Sequence, residues 1–136
     1  AQMGYVGPML GQHHQFHHYH PGKSNFGEER YFKISKRIYQ ELDERLAVSK
    51  FLSGDEYTIA DMAIWPWYGN LVLGNLYDAA TFLQVHEYSN LMRWAKQLEQ
   101  REGVKRGRIV NKTWGDDGQL ENRHNAQDID DALAKA

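Results

Sequence analysis

The sequence of 136 residues contains no cysteine. This absence excludes structural disulfides, zinc–thiolate sites and a cysteine nucleophile supplied by the protein itself. Any thiol chemistry must therefore use a thiol that arrives with a ligand. A chain without cysteine is also compatible with a reducing compartment, and we expect a cytoplasmic protein.

An excess of one charge and long apolar runs are also absent. The chain has 16 basic and 18 acidic residues, and the net charge of −2 gives no electrostatic reason to expect a nucleic acid or an anionic membrane as partner. The longest uncharged run, 62–77, contains proline and glycine. Such a run is too short and too interrupted to span a bilayer, and it favours a buried core helix.

The first residues of the chain resemble the middle of a structural element. They include no initiator methionine, no basic region and no cleavage-site pattern of a secretory signal. We therefore expect a domain taken from a longer chain, with part of its functional site outside these residues.

Strand patterns are nearly absent from the sequence, whereas helical periodicity is frequent. Over 24–49 the apolar residues recur at intervals of three or four, and Ser24 or Asn25 is the predicted cap. That apolar stripe comprises Tyr31, Ile34, Ile38, Leu42 and Leu46. After a polar loop, a second helix is predicted to begin at Thr58, and a third to cover 90–102. These patterns predict an all-α helical bundle.

Composition divides the chain into two parts. Residues 1–115 carry the helical patterns and form the predicted helical domain, whereas 116–136 are polar and acidic. We expect this tail to be extended or poorly ordered. A basic cluster precedes the tail, but without interleaved aromatic residues it favours a solvated face over a phosphate or nucleic-acid site. The cluster consists of Lys105, Arg106, Arg108 and Lys112.

The segment GDEYTIADMAIWPW, 54–67, gives the most specific structural signal. Thr58 and Asp61 form a capping box, in which the Thr58 hydroxyl accepts the backbone N–H of Asp61 and the Asp61 carboxylate accepts that of Thr58. The helix that follows is apolar on nearly every face, so we expect it to be central and buried on all sides. Pro66 removes a backbone hydrogen bond and is expected to bend this helix. Three indole rings are expected in the core, those of Trp65, Trp67 and Trp94.

Five of the seven histidines lie in the stretch QHHQFHHYHP. His13 and His17 are four residues apart, as are His14 and His18, so a continuous helix places either pair on one face. Two imidazoles at this spacing can bind zinc or nickel, but a structural zinc site needs four ligands and a catalytic one usually three. No acidic residue within the stretch completes such a set. Surface or pocket-lining imidazoles are therefore favoured, and no metal is predicted.

Four motifs together resemble the C-terminal domain of the glutathione transferases, and in particular the bacterial Nu class. They are GPMLGQ (7–12), EERY (28–31), GDEYTIADMAIWPW (54–67) and VKRGRIVN (104–111). The resemblance extends over residues 2–125, essentially the whole chain. It implies a glutathione transferase C-terminal-like helical bundle with a central buried helix.

The same resemblance implies a function. The class is associated with glutathione-dependent disulfide reduction, in which the thiol comes from glutathione, and its members are dimers. A thioredoxin-like domain that carries most of the glutathione site precedes the helical domain in this family, and that domain is absent from these residues. The implied protein is a glutathione transferase that acts as a disulfide-bond oxidoreductase when complete, with no measurable turnover from this chain alone. Its implied partners are glutathione and a disulfide or electrophilic small molecule.

Candidate site residues also follow from the resemblance. Arg30, in the EERY motif, matches the arginine by which the class contacts glutathione from the helical domain. A guanidinium suits this role because it binds a carboxylate in a bidentate fork. The alternative for this arginine is a solvated helix side chain, or one that forms a salt bridge to Glu28 or Glu29. The GPMLGQ motif begins the helix that flanks the cleft, and the implied second-substrate pocket is lined by Tyr5, Met9, His13, Phe16 and Tyr19. No residue of this chain is assigned a catalytic role.

Two other functions stay open from the sequence. One is a non-catalytic, transferase-like helical module used for dimerisation or as a scaffold. The other is a histidine-rich bundle that binds a metal ion. A thioredoxin-like domain upstream of this chain would favour the enzyme over both.

Overall fold

The computed structural model describes residues 1–74, 81, 83–110, 112 and 119–135. Within these residues the regular structure is helical, and extended backbone is paired only in an isolated bridge between Phe51 and Gly54. The predicted all-α fold is therefore confirmed. The α-helices are α1 (Gly7–His14), α2 (Asn25–Ala47), α3 (Ile59–Ile64), α4 (Asn70–Val72), α5 (Ser89–Glu99), α6 (Glu102–Ile109) and α7 (Ala126–Ala134), with a 3-10 turn at Val85–Glu87.

Three π-helical segments, which are wider than an α-helix, extend these helices. Segments π1 (Gln2–Val6) and π2 (Gln15–Tyr19) continue α1 at its two ends, and π3 (Trp65–Gly69) continues α3. Pro66, which the sequence predicts to bend the helix after Thr58, lies at the start of π3. The proline cannot donate an N–H to the helical ladder, and the helix changes type at this point.

Helix α2 begins and packs as its sequence pattern predicts. The Ser24 hydroxyl accepts the backbone N–H of Gly27 at 3.0 Å, which is the geometry of an N-cap. Of the predicted apolar stripe, Ile38 and Leu46 are buried and the other members are half-buried. This inner face of α2 packs against α1.

Helices α2 and α5 cap each other. The Asp43 carboxylate, from α2, accepts the backbone N–H of Leu91 at 2.8 Å and the side-chain amide of Asn90 at 3.1 Å, at the start of α5. In return the Arg93 guanidinium, from α5, donates to the carbonyl of Leu46 at 3.0 Å near the end of α2. An acid at a helix N-terminus and a base at a C-terminus both complement the helix dipole. The two helices are therefore held in a defined register.

The predicted capping box is present at the start of α3, and its carboxylate has further partners. Asp61 is fully buried and accepts the backbone N–H groups of Thr58 at 3.0 Å and of Leu52 at 3.1 Å. It also accepts the indole N–H of Trp94 at 2.8 Å, while the indole of Trp65 donates to a carbonyl of α5 at 3.0 Å. The expectation that Trp65 and Trp94 are core residues is confirmed.

The outer side of α3 and π3 differs from the expectation of burial on all sides. Ile59 is 81% exposed, Met62 51% and Trp67 41%, so Trp67 is not the core residue that the sequence predicts. The central helix is thus buried on its inner face and presents an apolar outer face in this chain. Apolar residues on nearly every face of the helix predicted burial on all sides, but the described residues leave this outer face exposed.

The chain divides into two compact units, Ala1–Lys96 and Gln97–Ala136. In the second unit α7 packs against α6 through the buried Ile129 and an ion pair between Arg106 and Asp130. Helix α7 lies in the tail that was expected to be extended or poorly ordered, and this expectation was wrong.

A second capping box explains the helix in the tail. The Asn125 side chain accepts two N–H groups of the first turn, and the Asp128 carboxylate accepts the N–H of Asn125 at 2.8 Å. The predicted domain boundary at residue 115 lies outside the described residues. No described helix is both long enough and apolar enough to cross a membrane.

The basic cluster of the second unit is engaged in ion pairs within the chain. Lys105 pairs with Glu102 at 3.2 Å, and Arg108 pairs with Glu99 at 3.2 Å. Together with the pair between α6 and α7, these contacts use three of the four basic side chains. They agree with the interpretation of the cluster as a solvated, structural face.

Candidate functional site

The candidate pocket residues lie along π1, α1 and π2, and they differ in accessibility. Tyr5, Met9 and Phe16 are half-buried, and Tyr19 is exposed. His13 is only 1% exposed, so in this chain it lies beneath the surface that the other four residues form or border. The segment packs on α2 through aromatic pairs: His13 with Phe32 at 5.9 Å and Phe16 with Tyr31 at 5.6 Å between ring centroids.

The histidine cluster has two buried and three exposed members. His13 and His14 are buried, and the His13 ring stacks on that of His17 at 5.3 Å. Burial lowers the pKa of His13 to about 4, with further contributions from the charges of His17 and His14. Burial likewise lowers the pKa of His14 to about 4, with the charges of His18 and His17 adding to the effect. Both buried imidazoles are therefore neutral near pH 7.

The part of the chain that the structure describes contains no complete set of ligands for a metal ion. No group of three or more His, Cys, Asp or Glu side chains there is arranged to hold an ion. The histidine spacing that the sequence offers thus produces a stacked, partly buried imidazole cluster instead.

Arg30 lies in a surface cavity on the outer side of α2. The cavity has a volume of about 470 Å³, and Phe26 and Ile34 supply its apolar walls. Glu29 and Lys33 line it as well, and they pair with each other at 2.5 Å. The cavity therefore combines one guanidinium, one neutralised ion pair and two apolar side chains.

The two acidic neighbours of Arg30 are both engaged elsewhere. Glu28 accepts the backbone N–H of Gly22 at 2.5 Å, and Glu29 is paired with Lys33. In the described part of the chain no carboxylate lies within ion-pair distance of the Arg30 guanidinium. Of the two alternatives for this arginine, the salt bridge to Glu28 or Glu29 is therefore not formed, and the solvated helix side chain stays open. The exposed guanidinium retains its capacity to bind an external carboxylate in a bidentate fork.

Sequence reasoning missed the contact that joins π2 to the turn of α2 that carries Arg30. Gly27 lies under the Phe16 ring, and Tyr31 stacks on it. The signal was present as a glycine in the first turn of a helix, where it lowers helix propensity and so needs a packing reason.

The family of the chain follows from its sequence as well as its fold. Residues 27–97 match the family model "Glutathione S-transferase, C-terminal domain". This match covers more than half of the chain, and the chain belongs to this family. The helical bundle with its capped central helix is the fold that the resemblance implied.

Two individual proteins of known name are similar to this chain. The chain is 53% identical over 116 residues to the disulfide-bond oxidoreductase YghU of Escherichia coli, an alignment that covers 85% of this chain and 40% of that protein. A second relative, the disulfide-bond oxidoreductase YfcG of the same organism, is 47% identical over 66 residues, which cover 48% of this chain and 31% of that protein. The chain thus spans about two fifths or less of the length of these relatives.

A solved structure shows the same fold. It is glutathione transferase YghU from Streptococcus pneumoniae, complexed with glutathione, at 44% identity and a TM-score of 0.74. The superposition covers 78% of this chain and 41% of that chain. A glutathione transferase from Burkholderia graminis with two glutathione molecules bound per subunit is also similar, at 34% identity and a TM-score of 0.71, covering 78% of this chain and 44% of that one.

Proposed function

We propose that this chain is the helical domain of a glutathione-dependent disulfide-bond oxidoreductase. It supplies Arg30 to the glutathione site and the surface of π1, α1 and π2 to the second-substrate pocket. The observation that carries the proposal is the exposed guanidinium of Arg30, which has no carboxylate partner among the described residues. The names of the similar proteins, which are disulfide-bond oxidoreductases and glutathione-bound transferases, support the same conclusion.

The proposed reaction is thiol–disulfide exchange with glutathione as the reductant. A glutathione thiolate attacks one sulfur of the disulfide, forms a mixed disulfide and releases the other sulfur as a thiolate. A second glutathione thiolate attacks the glutathione sulfur of the mixed disulfide, which yields glutathione disulfide and releases the second substrate thiolate. Two glutathione molecules thereby supply the two electrons. The absence of cysteine from these residues is compatible with this scheme, because both nucleophiles arrive with glutathione.

The proposed role of Arg30 is to hold a carboxylate of glutathione, and it is not a catalytic role. Replacement by alanine in the full-length protein should raise the glutathione KM by about tenfold or more, because a charge-assisted hydrogen bond to a ligand contributes about 1.5–3 kcal/mol. Arg30→Lys keeps the charge without the fork and should give an intermediate value.

A matched control lies two turns further along the same helix. Arg37 is also exposed, but it is paired with Glu41 at 2.8 Å, so Arg37→Ala should leave the glutathione KM unchanged. Equal KM values for Arg30→Ala and the unsubstituted protein would contradict the proposed role. Arg37→Ala and Arg30→Ala having equal effects would indicate a general effect of charge instead.

The proposed pocket for the disulfide rests on its accessible members. Met9 is half-buried between the two π segments, and Tyr19 is exposed at the far end. Met9→Ala in the full-length protein should raise KM for an apolar disulfide and leave the glutathione KM unchanged. His13, because it is buried, is expected to shape this wall from behind, and unchanged disulfide kinetics for both His13 and Phe16 variants would remove them from the pocket.

The apolar outer face of α3 and π3 supports a longer folded unit. We propose that a thioredoxin-like domain of the full-length protein covers Ile59, Met62 and Trp67, and that the whole enzyme is a cytoplasmic homodimer. Binding of a hydrophobic dye to this chain should fall when Met62 is replaced by serine, and should be absent in the full-length protein.

The same exposed face favours the second candidate function, a non-catalytic module for association. Full-length protein that binds partners through this face but shows no glutathione-dependent turnover would select that function. Turnover that requires Arg30 would select the enzyme.

A further inference from the structure

The side of α2 that faces π2 has a flat packing surface for one aromatic ring, formed by Gly27 and Tyr31. The Phe16 ring stacks on the Tyr31 ring, with centroids 5.6 Å apart and planes 9° from parallel. One turn earlier, Gly27 is buried, and a Cβ there would lie 2.9 Å from both Cδ1 and Cε1 of Phe16. Non-bonded carbon atoms are normally about 3.5–4.0 Å apart. The Phe16 ring therefore occupies the space that a side chain at position 27 would need.

This packing surface lies next to Arg30. Residues four apart form ridges on a helix, so Gly27 and Tyr31 share one ridge and Phe26 and Arg30 share the neighbouring one. Phe16 belongs to π2, which contributes to the proposed second-substrate pocket. The ring contact thus joins that pocket to the helical turn that carries the proposed glutathione ligand.

We infer that Gly27 is a positioning residue, which fixes π2 relative to Arg30 by letting the Phe16 ring lie directly on the α2 backbone. The inference rests on the proposed function, because it assigns a purpose to the distance between the two subsites. Thiol–disulfide exchange requires the glutathione sulfur and the disulfide to meet in one geometry, and a displacement of about 1 Å can cost about a hundredfold in rate.

Unfolding measurements on the full-length protein test whether the Phe16 ring packs directly on Gly27. Alanine normally stabilises a helix relative to glycine, and Gly27→Ala keeps the backbone N–H that Ser24 caps. We expect Gly27→Ala nevertheless to lower the urea midpoint, whereas Gly103→Ala, in the first turn of α6 with no atom within 4 Å of the added Cβ, should not. In a Phe16→Leu background the penalty for Gly27→Ala should shrink or vanish. A raised midpoint for Gly27→Ala would overturn the inference.

Steady-state kinetics on the same variants test the positioning role. Gly27→Ala should raise KM for the disulfide by about tenfold and leave KM for glutathione nearly unchanged, since Arg30 itself stays on α2. Unchanged disulfide KM in a folded Gly27→Ala protein would overturn the inference, even if the unfolding data show the packing. An Arg30→Ala variant with normal glutathione KM would instead refute the proposed function, so the two failures are distinguishable.

Discussion

Removal of the Asp61 carboxylate should strongly destabilise the protein. Its oxygens accept three N–H groups, from Leu52, Thr58 and the Trp94 indole. Asp61→Ala leaves these donors without their partner, and a buried unsatisfied donor costs about 1–3 kcal/mol. Trp94 bears this cost in full because it is completely buried, whereas Leu52 and Thr58 are half-buried and water can replace part of theirs.

The expected total follows from these contributions. The indole accounts for about 1–3 kcal/mol, and the lost capping box for about 0.5–2 kcal/mol. With a smaller contribution from the Leu52 amide, Asp61→Ala should lower the free energy of unfolding by about 2–5 kcal/mol. Urea unfolding followed by far-UV circular dichroism measures this quantity. The matched control is Asp55→Ala in the exposed loop, which should change it by less than about 0.5 kcal/mol.

A double-mutant cycle isolates the indole contribution. Trp94→Phe removes the donor and keeps a ring in the core, so Asp61→Ala should cost about 1–3 kcal/mol less in that background. Asp61→Ala within about 1 kcal/mol of the unsubstituted protein would contradict the assignment of Asp61 as the central acceptor of the fold. Additive single and double variants would contradict the indole contribution alone.

Three further predictions concern the core and the second unit. The pKa of His13 and His14 is about 4 in the folded chain against 6.5 unfolded. Between pH 6.5 and 4 the unfolded chain binds protons at these histidines and the folded chain does not. The free energy of unfolding therefore falls as pH drops from 6.5 toward 4, by up to about 3 kcal/mol for each histidine. His14→Gln should flatten that dependence in urea titrations at pH 7.5 and 5, and an unchanged slope would refute it. Gly69→Ala places a Cβ 2.5 Å from Cδ1 of Trp65 and should cost about 1–3 kcal/mol in thermal unfolding, whereas an unchanged midpoint would show that the core yields freely. Asn125→Ala should destabilise α7 by about 1 kcal/mol, visible as faster amide exchange in that helix, and equal rates would contradict its capping role.

Local features of the fold were predictable because neighbouring residues determine them. Ser24 caps α2, and Thr58 with Asp61 caps α3, since the donors of a capping box lie within three residues of the acceptor. The same rule holds for Asn125 and Asp128, but the prediction for the tail followed its acidic composition and missed this capping box. A capping box deserves more weight than composition in such a segment.

Burial was predicted less well because it depends on what else is present. Trp65 and Trp67 are two residues apart in an apolar helix, yet one is buried and the other is 41% exposed. Periodicity identifies a face that needs a partner, but it does not say whether that partner belongs to the same chain. The same limit applies to His13, which the family resemblance implies to line a pocket and whose ring is buried in this chain.

The sequence by itself determined the helical class, the caps and the absence of a protein thiol from these residues, because each depends on residue type or on short spacing. Only the tertiary structure decided that Glu28 and Glu29 bind other groups, so that no carboxylate of the described residues pairs with Arg30. It also decided that Phe16 rests on Gly27. The contact of Phe16 with Gly27 depends on helix packing across the fold. The partners of Glu28 and Glu29 depend on which of several neighbouring groups their rotamers reach, and residue spacing alone does not decide that choice.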